Sequence, residues 1–189
     1  MSIAYNLIEA VVSLAAGILA GSVALTGFGI DSVIEVTTSS AAQWRLRADA
    51  DEGRRERAER VAHRIIGWCF LALALYVALD SARSLWFGDR AQPSVAGIAI
   101  LALSVVVMPL LARAKLRVAN EIGSGALRSE SAQTSLCAYL SAIALAGVVL
   151  NAVAGWWWAD PVAGLAMAPI IAKEGFAGVS GDTCGDDCD

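Results

Sequence analysis

The stretch Ile3–Ala42, IAYNLIEAVVSLAAGILAGSVALTGFGIDSVIEVTTSSAA, decides the fold. Its two runs, Ile3–Ala20 and Val23–Ala42, each match the roughly 20 predominantly apolar residues that a helix needs to cross a bilayer. Only Gly21 and Ser22 separate them, so the pair reads as a tight helical hairpin. Lipid offers the backbone no hydrogen-bond partners, so only helices and closed barrels cross it, and runs this long exclude barrel strands of about ten residues. The first run has no basic segment ahead of it and leads directly into the second, which reads as a retained span rather than a secretory leader.

The same pattern continues along the chain in Ile65–Trp86, Val95–Ala112, Ser129–Val153 and Pro161–Ala172. Asp160-Pro161 reads as the start of the last run, with Asp as cap and Pro in the first turn. The expected fold is all-α, a six-span transmembrane helical bundle occupying residues 1–176, followed by a short acidic, Cys-containing tail at 177–189. Composition agrees: 57% of the 189 residues are hydrophobic, 17% are charged, and the mean hydropathy is +0.61. A soluble domain has about 45–50% apolar and about 25% charged residues. Ala15, Ala16, Gly17, Gly27 and Gly29 suit close helix contacts.

The net charge of −4 matters less than where the charges lie. Arg45, Arg47, Arg54, Arg55, Arg57, Arg60 and Arg64 follow the second span, and Arg113, Lys115, Arg117 and Arg128 follow the fourth. The alternate connections carry only Arg83 and Arg90. Positive charge collects on the cytoplasmic side, so both termini are expected to be cytoplasmic, in a bacterial-type cytoplasmic membrane. Trp156, Trp157 and Trp158 then mark the outer interface, where indole rings anchor at headgroup level.

Against this apolar background the acidic residues stand out. An ionisable side chain at the centre of a span costs about 2.5–3.5 kcal/mol on insertion scales, which makes it a functional candidate by default. Asp31 and Glu35, four residues apart in span two, share a helix face. Two such carboxylates repel if both ionise, and a cation or a proton relieves that. In span five, Glu130, Gln133 and Cys137 also recur at helical spacing. Span two runs inward and span five outward, and the two clusters fall at depths that let them meet. Carboxylates and an amide oxygen suit divalent ions, and a thiolate shifts preference toward zinc-like ones. Blander readings stand beside these: Gln133 as an interhelical hydrogen-bonder and Cys137 as a small core residue.

Asp31-Ser-Val-Ile-Glu35, preceded by Gly21-Ser-Val-Ala-Leu, resembles the D-x-x-x-D segment of the cation diffusion facilitator transporters. Glu130…Gln133…Cys137 falls where that family has an acidic residue followed by H-x-x-x-D, with Gln133 in place of His and Cys137 in place of Asp. Asn6, Glu9, Asp80 and Asp160-Pro161 fit the same pattern, and the resemblance spans about Ile3 to Gly175. It implies a compact member without the C-terminal cytoplasmic domain, usually a homodimer. The implied activity is export of a divalent cation (Zn2+, or Cd2+, Fe2+, Co2+ or Mn2+) from the cytoplasm in exchange for protons. The metal ligands would be Asp31, Glu35, Gln133, Cys137 and Glu130.

Cys184 and Cys188 lie among carboxylates in the tail, a possible metal-capture site or an acidic end with incidental thiols. His63, without partners in sequence, reads as a solvated interfacial residue. The mixed charges of Arg45–Arg64 read as a solvated helical extension whose arginines can touch anionic lipid. Asp80 and Arg83, three apart, are expected to pair. No phosphate-loop motif is present, and one histidine makes a Ser/His/Asp hydrolase hard to build, so no enzyme, resident cofactor or nucleic-acid partner is expected. The competing reading is a non-transporting membrane protein that binds metal as a sensor or serves as a structural partner.

Overall fold

The computed structural model describes residues 2–47, 52–123 and 125–180. They form α1 (Ser2–Ala20), α2 (Val23–Arg47), α3 (Glu52–Phe87), α4 (Val95–Ile122), α5 (Gly125–Ala154) and α6 (Ala159–Ser180), with no strand among the described residues. The tail cysteines Cys184 and Cys188 lie outside the described residues, as does the side chain of His63.

Five of these helices are long and apolar enough to cross a membrane. The exception is α2, whose Asp31, Glu35, Thr37, Thr38, Ser39 and Ser40 lower its hydropathy. Packing compensates for that polarity. Helix α2 contacts α1, α3, α5 and α6, more neighbours than α1, α3 or α4 have, and Asp31, Ser32, Glu35 and Ser39 are all buried. Helices α1, α2, α5 and α4 close a four-helix ring, and α3 pairs with α6 against α2.

The hairpin forms as its sequence suggests. Gly21 adopts φ 64°, the left-handed conformation open to glycine at little cost, and its amide bonds to Ile18 O. Ser22 then caps α2, its hydroxyl accepting from Leu25 N at 3.1 Å. Further contacts gather three connections at this end of the bundle: Gln92 N donates to Ala20 O, and Asn151 Nδ2 donates to Ala91 O. Trp156 and Trp158 stack there with ring centroids 5.2 Å apart.

Several boundaries differ from the sequence reading for one physical reason: the helices outrun their apolar cores. Helix α4 continues through Arg113, Lys115 and Arg117, and α6 continues past Ala172 to Ser180. Helix α3 begins at Glu52, so much of the charged segment before the third span is indeed a helical extension. Long cationic stems cover apolar surface while their heads reach polar partners, which lets charged residues continue a helix beyond the hydrocarbon.

The role expected of Asp160 needs correction. It sits inside the first turn of α6, 1% exposed, and its carboxylate serves α2 instead. Asp160 Oδ1 accepts from Ser22 Oγ at 2.5 Å and Oδ2 from Val23 N at 2.9 Å. An N-terminal turn leaves amide donors without partners, and here a neighbouring helix supplies the acceptor.

Candidate functional site

The four-helix ring encloses two groups of buried polar side chains. Toward α1 lies Glu9, fully buried, accepting from Ser32 Oγ of α2 at 3.0 Å and from Ser104 Oγ of α4. Tyr5 bonds to the same Ser104 at 3.0 Å. One turn away on α1, Asn6 is fully buried, and neither of its amide atoms has a partner among the described residues.

Toward α5 lies Glu35. Its Oε1 accepts from Thr134 Oγ1 at 2.6 Å and faces Lys115 Nζ at 3.7 Å, while its Oε2 is buried without a partner among the described residues. Lys115 reaches in from α4. Its ammonium lies 2.8 Å from Glu130 Oε1 and donates to Thr134 Oγ1 at 2.8 Å. Glu130 Oε1 also accepts from Ser39 Oγ at 2.6 Å. Helix α4 is tied to α5 once more by Ser131 Oγ, which donates to Ala112 O at 2.7 Å.

Asp31 lies one turn before Glu35 on the same face of α2. It lines a small cavity with Gln133 of α5 and Glu174 of α6, walled by Phe70, Leu140 and Ile171. The Cys137 thiol, 2% exposed, lies beside both Asp31 and Glu35. The five residues singled out in the sequence therefore divide. Asp31, Gln133 and Cys137 meet around the cavity, and Cys137 links that group to Glu35. Glu130 instead joins Glu35 through Lys115 and Thr134. Among the described residues, no three His, Cys, Asp or Glu side chains converge tightly enough to hold a metal ion.

Two charged residues of this region were missed in the sequence. Lys115 was read as part of a cytoplasmic connection, and Glu174 fell beyond the expected end of the last span. In both cases the signal was helical spacing carried past the last apolar residue: Lys115 lies three residues after Ala112, and Glu174 four after Ile170. Asp80 behaves as expected. Arg83 Nε lies 3.6 Å from its Oδ1, and the same guanidinium reaches Asp89 at 3.3 Å, a cluster of a half-buried Asp80 with exposed Arg83 and Asp89, apart from the ring.

A bundle that buries several carboxylates, a thiol and an ammonium between helices at lipid depth is built to handle ions rather than to pack alone. Comparison with curated proteins finds no match to the chain. The family model described as the cation efflux transmembrane domain matches residues 1–179, nearly the whole sequence. The chain belongs to the cation efflux family, and is accordingly an integral multi-pass membrane protein that transports divalent metal cations.

Proposed function

We propose that this transporter exports a zinc-type divalent cation from the cytoplasm in exchange for protons, with both termini cytoplasmic. The observation that carries this reading is the placement of Cys137 beside both Asp31 and Glu35, with Gln133 lining the same cavity as Asp31. Carboxylate oxygens and a sulfur donor together favour borderline ions such as zinc over magnesium or calcium. Asp31, Glu35, Gln133 and Cys137 form the ion's ligand set, with Glu130 as an approach ligand beside Glu35.

The donors lie on the facing sides of α2 and α5, so binding draws the two helices together and closes the set around the ion. Rocking of the bundle then exposes the ion to either side in turn. Two carboxylates that repel one another accept protons once the cation leaves, which couples cation exit to proton entry. The tail cysteines Cys184 and Cys188 offer a metal-capture point ahead of this path, and pairing of two chains follows the family habit.

Uptake into sealed proteoliposomes tests the reading, with zinc, cadmium, iron(II), cobalt and manganese compared with and without an imposed pH gradient. Zinc-type ions should move fastest, and the gradient should accelerate them. Cys137→Ser should lower the preference for zinc and cadmium over manganese. Saturable binding without flux for any ion would support a sensor instead.

A further inference from the structure

Lys115 is the observation that neither the family assignment nor the proposed ligand set uses. It is one of two lysines in the chain, the other being Lys173. Its side chain is 10% exposed and its ammonium sits between helices, 2.8 Å from Glu130 and 3.7 Å from Glu35. Thr134 Oγ1 lies between them, accepting from Lys115 and donating to Glu35 Oε1. The other oxygen, Glu35 Oε2, is buried and has no hydrogen-bond partner among the described residues. One oxygen of Glu35 thus faces a fixed cation, and the other is left for something else.

We propose that Lys115 is a tethered counter-cation of the transport site, which holds the Glu35 and Glu130 carboxylates and is displaced from them when a divalent ion binds. The inference rests on the reading of Glu35 and Glu130 as cation ligands. It adds a rule of selection by charge. A sodium or potassium ion that replaces the ammonium exchanges one unit charge for another and must also shed water, so it gains little. A divalent ion brings a second charge to the same carboxylates and gains enough attraction to displace the lysine. The long, flexible lysine stem suits this task, because it can swing aside toward the end of α4 without moving the helix. A buried pair that merely held α4 to α5 would leave neither an orphaned oxygen on Glu35 nor a second carboxylate sharing the ammonium.

The test is zinc binding to the purified full-length chain in lipid nanodiscs, with wild type, Lys115→Met and Lys115→Arg compared. Each is measured in sodium chloride and in choline chloride at equal ionic strength. Lys115→Met should bind zinc about tenfold tighter or more in choline, and sodium should weaken that binding. Wild type and Lys115→Arg should show no difference between sodium and choline. Unchanged or weaker zinc affinity in Lys115→Met, or the same sodium insensitivity as wild type, overturns the proposal.

Removing one partner of a buried ion pair is strongly destabilising, so a second measurement uses the wild-type chain alone. Amine-reactive labelling of Lys115, mapped by peptide and normalised to Lys173, should rise when zinc is added. Labelling that stays constant or falls overturns the proposal. Zinc binding that persists while these effects are missing contradicts the lysine's role alone. A wild-type chain that binds no divalent ion contradicts the underlying ligand assignment as well.

Discussion

At Asp160 one carboxylate accepts from the Ser22 hydroxyl and the Val23 amide, so a residue of the last helix closes the start of the second. Asp160→Ala leaves both donors buried without an acceptor, at about 1–3 kcal/mol for each unsatisfied group. The thermal midpoint of the purified chain should fall clearly, and Asp160→Asn, which keeps one acceptor oxygen, should fall less. Equal midpoints for Asp160→Ala and wild type would contradict the cap. The sequence announced Asp160 as a helix-start residue but not which helix it serves, because that choice depends on how α6 packs. Lys115 shows the same limit. Its charge and position were plain, yet only the packing of α4 against α5 turns its ammonium inward to Glu130. By contrast, Asp31 and Glu35 were legible from spacing alone, since four residues on a helix fix a shared face whatever the neighbours.

Helix α2 is the one described helix without a stretch apolar enough to cross a membrane, and it is also the best surrounded. Val23–Ala42 reads as one of the apolar runs in the sequence, yet α2 falls short of the apolarity of the other five helices, and burial among four neighbours keeps its polar residues from lipid. The α3–α6 pair is held differently, by contact of one helix backbone with the other. A Cβ added at Gly67 would lie 2.6 Å from Val179 N and 2.8 Å from Gly175 O, and neither backbone atom can move aside cheaply. Gly67→Val should therefore push α6 off α3 and cost about 1–3 kcal/mol, the range for overpacking. A depressed thermal midpoint would show this, and an unchanged one would contradict such close packing. Loss of transport is expected too, because α6 carries Glu174 and Ile171 of the cavity that Asp31 lines. The sequence hinted at such contacts through its small residues, without saying which helices meet.

In the whole molecule the α1–α2, α3–α4 and α5–α6 connections gather at one end, joined through Ala20, Ala91, Asn151 and Asp160. The basic residues Arg113, Lys115 and Arg117 of α4 fall toward the other, the end that the proposed orientation puts in the cytoplasm. Between the two ends the ring of α1, α2, α4 and α5 carries the polar axis from Glu9 to Glu35 and Glu130, and α3 and α6 close its flank beside Asp31. On the proposed reading an ion crossing this bundle passes the carboxylates of α2, the helix that joins the ring to the flanking pair. The most direct test is the initial rate of zinc uptake into proteoliposomes containing wild type, Asp31→Asn or Glu35→Gln, with Asp80→Asn, half-buried and paired with Arg83 outside the ring, as a control. Both α2 variants should lose at least about 10–100-fold, the scale on which changes merely adjacent to metal ligands already act, while Asp80→Asn stays near wild type. Normal zinc uptake by folded Asp31→Asn and Glu35→Gln proteins would contradict the assignment of the transport site to α2.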